Sequence, residues 1–200
     1  MTDIVTSTSR RALLSGALGL GGLAALAPAA AAGTPRVPVE SSSDYFLKLD
    51  GVAGESTDRG HTGEIELLTW GTGVSTVASP LFTAGGGAGK SKPADLTFVA
   101  RTSKASPKLF QVCATGKHLK TATLSVRRNG DTPVEYLVIT LEDVLVTSYQ
   151  VAPGENDGYP IDVAALSYAR LRYSYRPQLP NGELGEPITF GFDFAANKAF

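Results

Sequence analysis

The 200-residue chain has few of the residues on which common sites depend. It contains one cysteine, Cys113, which excludes an internal disulfide and a zinc site built from several thiolates. Its 18 basic residues nearly balance its 19 acidic residues, so it lacks the basic excess typical of nucleic-acid binders. No apolar run after residue 32 is long enough to span a bilayer. With 42% hydrophobic and 18% charged residues, the chain is nonetheless expected to be globular rather than disordered.

The N-terminal segment has the pattern of an export signal. Arg10 and Arg11 precede an uncharged run of about 16 residues, and small residues follow at Ala30, Ala31 and Ala32. Paired arginines are typical of twin-arginine signals, which carry folded proteins across a bacterial membrane. An uncleaved membrane anchor is the alternative, but the small residues favour cleavage. We expect a signal peptide over residues 1–32, a flexible leader over 33–43 and one domain over 44–200, located outside the cytoplasm after twin-arginine export.

Most of the expected domain shows the period-two alternation of β-strands. The predicted strands are residues 45–49, 64–70, 74–78, 96–101, 122–126, 134–146, 163–175 and 188–194. Two sets of side chains should each share one face of a strand: Ala122, Leu124 and Val126, and Phe190, Phe192 and Phe194. Strands with one dry face imply a mainly β fold, a closed or nearly closed antiparallel β-barrel of two packed sheets, because closure removes free sheet edges.

One segment, at about residues 106–116, has a helical pattern instead. Ser106 is the predicted N-cap, Pro107 the first helical residue, and Gly116 the residue just past the end. The pattern predicts one short α-helix that flanks the barrel. Its expected apolar face comprises Leu109, Phe110, Cys113 and Ala114.

A glycine-rich segment, residues 84–91, differs by one residue from a phosphate-binding loop of the type G-x-x-x-x-G-K-[ST]. Alanine occupies the first glycine position, and Pro93 follows where such a loop requires a helix. We therefore interpret the segment as a loop between strands and expect no nucleotide cofactor.

A second polar segment, residues 50–64, combines four carboxylates with one of the two histidines. Ser56, Asp58 and His61 could be drawn as the nucleophile, orienting acid and base of a hydrolase. The spacing matches no metal-ligand motif, and an exposed polar loop is the favoured interpretation. His118 is expected to be a helix-end charge or cap, and Cys113 a small buried residue rather than a nucleophile.

The order of these motifs resembles the Hcp family, the tube subunits of bacterial type VI secretion. The resemblance begins with Phe46–Gly51, Gly54–Asp58, His61 and Glu64–Trp70, continues through residues 85–118, and ends with Tyr168–Tyr175 and Phe190–Asp193. It covers nearly all of residues 44–200, and a match of this length is specific where any single motif would be weak.

The resemblance implies a homohexameric ring, stacking of rings into a hollow tube, and carriage or chaperoning of effector proteins. It implies no catalytic residue and no cofactor, while the charge balance and the residue spacing lead us to expect no nucleic-acid partner and no metal. In that family the long loop after the first strand reaches the adjacent subunit, which makes Glu55, Ser56, Asp58, Arg59 and His61 candidates for the subunit interface. A polar, glycine-rich loop has little packing of its own, so its order is expected to come from that partner. Family members normally lack a cleavable signal, so the leader implies that a folded protomer crosses the membrane by itself.

Two other functions are compatible with the sequence. The first is a monomeric secreted binding module that uses Tyr173, Tyr175 or Trp70 as platforms for its ligand. The second is the secreted hydrolase built on the serine, aspartate and histidine of the polar segment.

Overall fold

A computed structural model describes residues 43–76, 90–130, 133–154 and 158–200. The predicted signal peptide with Arg10 and Arg11, its cleavage region at Ala30, Ala31 and Ala32, and all but the last residue of the leader lie outside the described residues. The glycines at 85–89 also lie outside them. Within the described ranges, no helix is long and apolar enough to cross a membrane.

The predicted mainly β architecture with one short helix is confirmed. Eight strands and one helix follow along the chain in this order: β1 (Ser43–Leu49), β2 (Ile65–Thr76), β3 (Ser91–Arg101), α1 (Ser106–Thr115), β4 (Leu119–Arg128), β5 (Val134–Ala152), β6 (Ile161–Tyr175), β7 (Ile188–Asp193) and β8 (Lys198–Ala199). The predicted strand 64–70 and the described part of the predicted strand 74–78, which is residues 74–76, are continuous in β2, with register shifts on either side of Gly71. The two-residue strand β8 has no periodicity to reveal it in the sequence.

The strands close into a ring of hydrogen bonds. All pairs are antiparallel, in the order β3-β2-β1-β4-β5-β6-β7-β8, and a further pairing of β3 with β6 closes the first six. Strand β6 makes closure possible because it changes partner along one edge: Leu96 of β3 pairs with Leu166, while Phe192 of β7 pairs with Leu171. The barrel therefore has six strands, and β7 and β8 extend the sheet beyond the point of closure.

The core lies inside this ring and is built by alternate residues of the strands. Ala122, Leu124 and Val126 of β4 are all buried, as the alternation predicts. Leu47, Phe98 and Ile139 come from three other strands and join the same cluster. Each fully buried side chain of this size contributes about 1.5–3 kcal/mol to folding. The fold is therefore held by one apolar interior.

The helix lies where the pattern predicts, but its N-cap and its packing differ from the prediction. Its N-cap is Ala105, which makes no side-chain cap, while Gly116 takes the left-handed conformation at the C-terminal end as predicted. Leu109 and Val112 are the apolar side chains that enter the core, whereas Phe110 is 63% exposed. Ser106 is not the cap because its hydroxyl donates to the buried carboxylate of Asp162 on β6.

Candidate subunit interface

The polar loop of residues 53–64, hereafter the β1–β2 loop, is closed at its base by its own backbone. The amide of Gly54 donates to the carbonyl of Gly63 at 2.7 Å, and the amides of Ser56 and Gly63 donate to the carbonyls of Glu64 and Ser56. A Cβ atom on residue 54 would lie 2.1 Å from the carbonyl oxygen of Glu64. Only glycine permits this approach, so one residue sets the closed path of the loop.

The loop packs against the outer wall of the barrel, over Phe46 of β1. The Phe46 side chain is buried although it does not belong to the interior core, since its neighbours Leu47 and Leu49 fill that core. His61 of the loop covers it, with the two rings parallel within 7° and their centroids 4.0 Å apart. The outer face of β1 is therefore dry at this point, which the simple alternation of wet and dry faces does not predict.

Two contacts with carboxylates hold His61 in place. Its Nδ1 atom lies 2.9 Å from Oε2 of Glu64, and its Nε2 atom lies 3.0 Å from Oε1 of Glu135 on β5. The histidine side chain is 5% exposed, against 42% for Glu135. The imidazole thus joins the β1–β2 loop to a strand about seventy residues further along the chain.

A second anchor joins Asp58 to β4. The guanidinium of Arg127 lies 2.8 Å from Asp58 and 2.9 Å from Asp44, and it also lies over the Phe46 ring. The hydrogen bonds from Arg127 and from the Gly60 amide lower the pKa of Asp58 from 3.8 to about 2. The hydrogen bonds that Arg127 donates, to Asp58 first and to Asp44 second, raise the pKa of Arg127. These contacts keep the Asp58 carboxylate and the Arg127 guanidinium both ionised at neutral pH.

The structure corrects the expectation that a partner must order this loop. Ser56 and His61 are buried within their own chain, so their side chains fasten the loop and present no surface to a neighbour. Glu55 is exposed, and one of its oxygens accepts the amide hydrogen of Lys104 at 2.9 Å. Asp58 is partly exposed and Arg59 exposed. The surface available to another molecule therefore comes from Glu55, Asp58 and Arg59, with Thr57 and Thr62 beside them.

The hydrolase arrangement does not form. The Ser56 hydroxyl accepts the Asp58 amide at 3.3 Å, while both ring nitrogens of His61 contact glutamates instead of the serine. His118 is not a helix cap either, because its Nδ1 atom pairs with Asp143 at 2.8 Å. Cys113 is half-buried on α1. Among the described residues, no group of three or more His, Cys, Asp or Glu side chains is placed to hold a metal ion.

The chain after the glycine-rich segment does not form the helix that a phosphate-binding loop needs. Ser91, which would open that helix, is the first residue of strand β3. A strand offers no helix N-terminus to a phosphate. Pro93 lies within the same strand and pairs with Val74.

An apolar groove of about 530 Å³ lies between the ends of β2 and β3 and the pair β6 and β7. Phe190, Phe192 and Phe194 line it as the alternation predicts, with successive ring centroids 6.2 and 5.0 Å apart. Tyr173 also lines it and is 39% exposed. Tyr175 instead packs edge-on against Tyr136. Trp70 is no free platform, because it packs edge-on against Tyr45 beside the core.

Sequence reasoning missed Arg127 and Glu135, the two side chains that hold the β1–β2 loop. Strand register brings them together: Asp44 pairs with Arg127, and Arg127 pairs with Glu135. Side chains directly opposite in an antiparallel pair lie on the same face. No local motif in the sequence specifies this register.

Comparison with known proteins points in one direction. Residues 46–175 match the family model described as "Type VI secretion system effector, Hcp". The chain is 36% identical over 156 residues to Protein hcp1 of Pseudomonas aeruginosa, a match that covers 77% of this chain and 96% of that protein.

Solved structures agree with the sequence matches. The crystal structure of Hcp1 from Salmonella typhimurium has a TM-score of 0.65 and 33% identity, covering 79% of this chain and 99% of that one. A structure titled as a type six secretion system protein has a TM-score of 0.74 and 28% identity, covering 78% and 99%.

Proposed function

Because the chain belongs to the Hcp family of type VI secretion proteins, we propose that it is a secreted structural subunit that assembles into homohexameric rings. The rings stack into a tube that carries or chaperones effector proteins. The family is structural and not enzymatic. In keeping with this, Ser56, Asp58 and His61 do not form a hydrolase triad. The observation that carries the proposal is the family match across residues 46–175. This range contains the β1–β2 loop.

Two surfaces of the described fold suit such an assembly. The β1–β2 loop is held in one conformation by Gly54, His61 and Asp58, so its exposed side chains are presented without a large ordering cost. The apolar groove at Phe190 leaves that side chain 56% exposed. Contiguous exposed apolar surface marks a place of contact. Ring or tube contacts, or an effector, would cover it.

We assign the neighbour contact of the loop to Glu55, Asp58 and Arg59. Arg59→Glu tests this because its side chain makes no hydrogen bond or ion pair within the described residues, so the barrel should be unaffected. The matched control is Lys117→Glu, which makes the same charge change after α1. Sedimentation velocity of the full chain should show fewer rings for Arg59→Glu only, through lost charge complementarity. Equal ring content in both variants would remove the loop from the interface.

Twin-arginine export is the second part of the proposal and is tested separately. Replacing Arg10 and Arg11 by lysine should retain the protein in the cytoplasm of the producing bacterium, since the paired arginines are the recognised feature of the signal. Arg36→Lys, outside the signal, is the control. Unchanged appearance of the double variant outside the cell would contradict this route and leave the secretion tube itself as the exit.

A further inference from the structure

His61 stands out among the titratable groups because both of its ring nitrogens face carboxylates. Nδ1 lies 2.9 Å from Glu64 and Nε2 lies 3.0 Å from Glu135. A neutral imidazole carries one N–H and can donate to only one of these two oxygens. The imidazolium carries two N–H groups and satisfies both contacts. Both contacts can therefore be hydrogen bonds only when the ring is charged.

The charged groups around the His61 imidazole favour its charged form. The outer barrel face at this point contains Asp58 and Glu64 from the loop, Glu135 from β5, Arg127 from β4, Glu66 from β2, and Asp44 and Lys48 from β1. Arg127 is already shared between Asp44 and Asp58. Among the described residues, His61 is the basic side chain in direct contact with Glu64 and Glu135, and a neutral ring would leave this pair without a cation.

Loss of the proton would act on one contact more than the other. Glu64 is 15% exposed, so its carboxylate has little access to water and would retain the remaining N–H. Glu135 is 42% exposed and would then face the lone pair on Nε2. Two acceptors repel each other at that distance, and Glu135 can turn to water at little cost. The contact that opens is the one that joins the loop to β5.

We infer that His61 is a proton-operated latch: its imidazolium ties the β1–β2 loop to Glu135 of β5, and loss of one proton releases the loop from β5. The loop presents Thr57, Arg59 and Thr62 to solvent, so the latch controls how rigidly these side chains are held. The consequence for assembly rests on the proposed function: rings whose neighbour contact uses this loop form best while the latch is closed.

The latch is tested by nuclear magnetic resonance on the full chain labelled with ¹⁵N, at a series of pH values. The chain has two histidines, and the exposed ring of His118 serves as an internal reference. Protons on both nitrogens of His61 are expected wherever the loop is closed. Hydrogen-exchange protection, corrected for intrinsic pH effects, is followed at the amides of Gly54, His61 and Gly63, which the closed loop bonds. Their protection should fall about tenfold or more in step with deprotonation of His61.

Glu135→Gln separates the latch from a general effect of pH. The glutamine amide can donate to the Nε2 lone pair of a neutral ring, so this variant should keep its loop protected across the whole series. The control is Glu186→Gln, the same change in an exposed position of the loop between β6 and β7, which should behave as the wild type. The latch is wrong if the His61 imidazole carries only one proton while the loop is closed. It is also wrong if the hydrogen-exchange protection of the loop amides stays unchanged after His61 loses its proton.

Sedimentation of the same samples tests the link to assembly. The ring fraction of the wild type should fall over the pH range in which the loop opens, and that of Glu135→Gln should not. A ring fraction that stays constant while the loop opens contradicts the link. Absence of rings at every pH contradicts the proposed function instead, while the exchange data still decide the latch.

Discussion

Removing the carboxylate of Asp162 should detach the start of α1 from the barrel wall. Asp162 is 1% exposed on β6, and no cation contacts it among the described residues. Three hydroxyls serve in place of a cation: Thr102 donates at 2.9 Å, Tyr149 at 3.0 Å, and Ser106 donates to the second oxygen. These donors come from the segment before α1, from β5 and from α1, so the carboxylate joins three parts of the fold.

The expected cost of Asp162→Ala is the sum of the losses at its donors. Ser106 is buried, so its hydroxyl proton would be left without this acceptor, at about 1–3 kcal/mol, although its oxygen still accepts the Ser103 amide. Thr102 and Tyr149 are more exposed and can bond to water, and each loses only a net hydrogen bond of about 1 kcal/mol. Part of this cost is offset because the substitution also removes the buried charge of Asp162. The sum is about 3 kcal/mol, equivalent to a decrease in Tm of about 6–12 °C for a chain of this length.

Urea unfolding of the full chain, at one fixed protein concentration, measures this free energy. Asp162→Asn keeps the shape and one acceptor oxygen and should cost about 1 kcal/mol, roughly a third of the alanine effect. Asp50→Asn, on an exposed turn, is the control and should remain within about 0.5 kcal/mol of the wild type. A loss below about 1 kcal/mol for Asp162→Ala would refute the argument that these hydroxyls depend on the carboxylate.

Two further predictions concern the β1–β2 loop. Because Asp58 has a pKa of about 2 when folded and 3.8 ordinarily, its stabilising effect is present above pH 4 and lost as the pH falls towards 2. The Tm of the wild type should therefore exceed that of Asp58→Asn at pH 6, and the difference in Tm should shrink as the pH falls towards 2. A Tm difference that stays constant with pH would argue against the Arg127 contact. Gly54→Ala would place Cβ 2.1 Å from the Glu64 carbonyl oxygen, so the loop base must separate, at about 1–3 kcal/mol. Hydrogen exchange at the Gly63 amide should accelerate in Gly54→Ala. Gly73→Ala is the control and should exchange like the wild type, because a Cβ on residue 73 has no atom within 4 Å. Exchange at the wild-type rate in Gly54→Ala would show that the loop base is not closed there.

The fold could be predicted from the sequence where local pattern and tertiary structure agree. Alternation located the strands because one face of each must be dry, as at Leu124. Gly116 marked the end of α1 since its conformation is left-handed. The N-cap of α1 was placed one residue too late, because the Ser106 hydroxyl bonds to Asp162, far away in the chain. Helical spacing alone also could not show that Phe110 lies on the exposed side.

The candidate interface shows the limit of sequence reasoning more clearly. The polar loop and its residues could be identified, yet its order was assigned to a partner subunit, because polarity and glycine content indicate little packing. Its packing comes instead from Phe46, Arg127 and Glu135, which strand register brings to the outer face. Register depends on the whole sheet, so no window around residues 53–64 contains the information.

The most direct test of the central claim is electron microscopy of the protein recovered from the medium of bacteria that express the full chain. Negative-stain images should show rings with six-fold symmetry, some of them stacked, and N-terminal sequencing of the same material should place the cleavage near Ala32. Particles that remain single subunits at every concentration imaged would contradict the account of this chain as a ring-forming Hcp subunit.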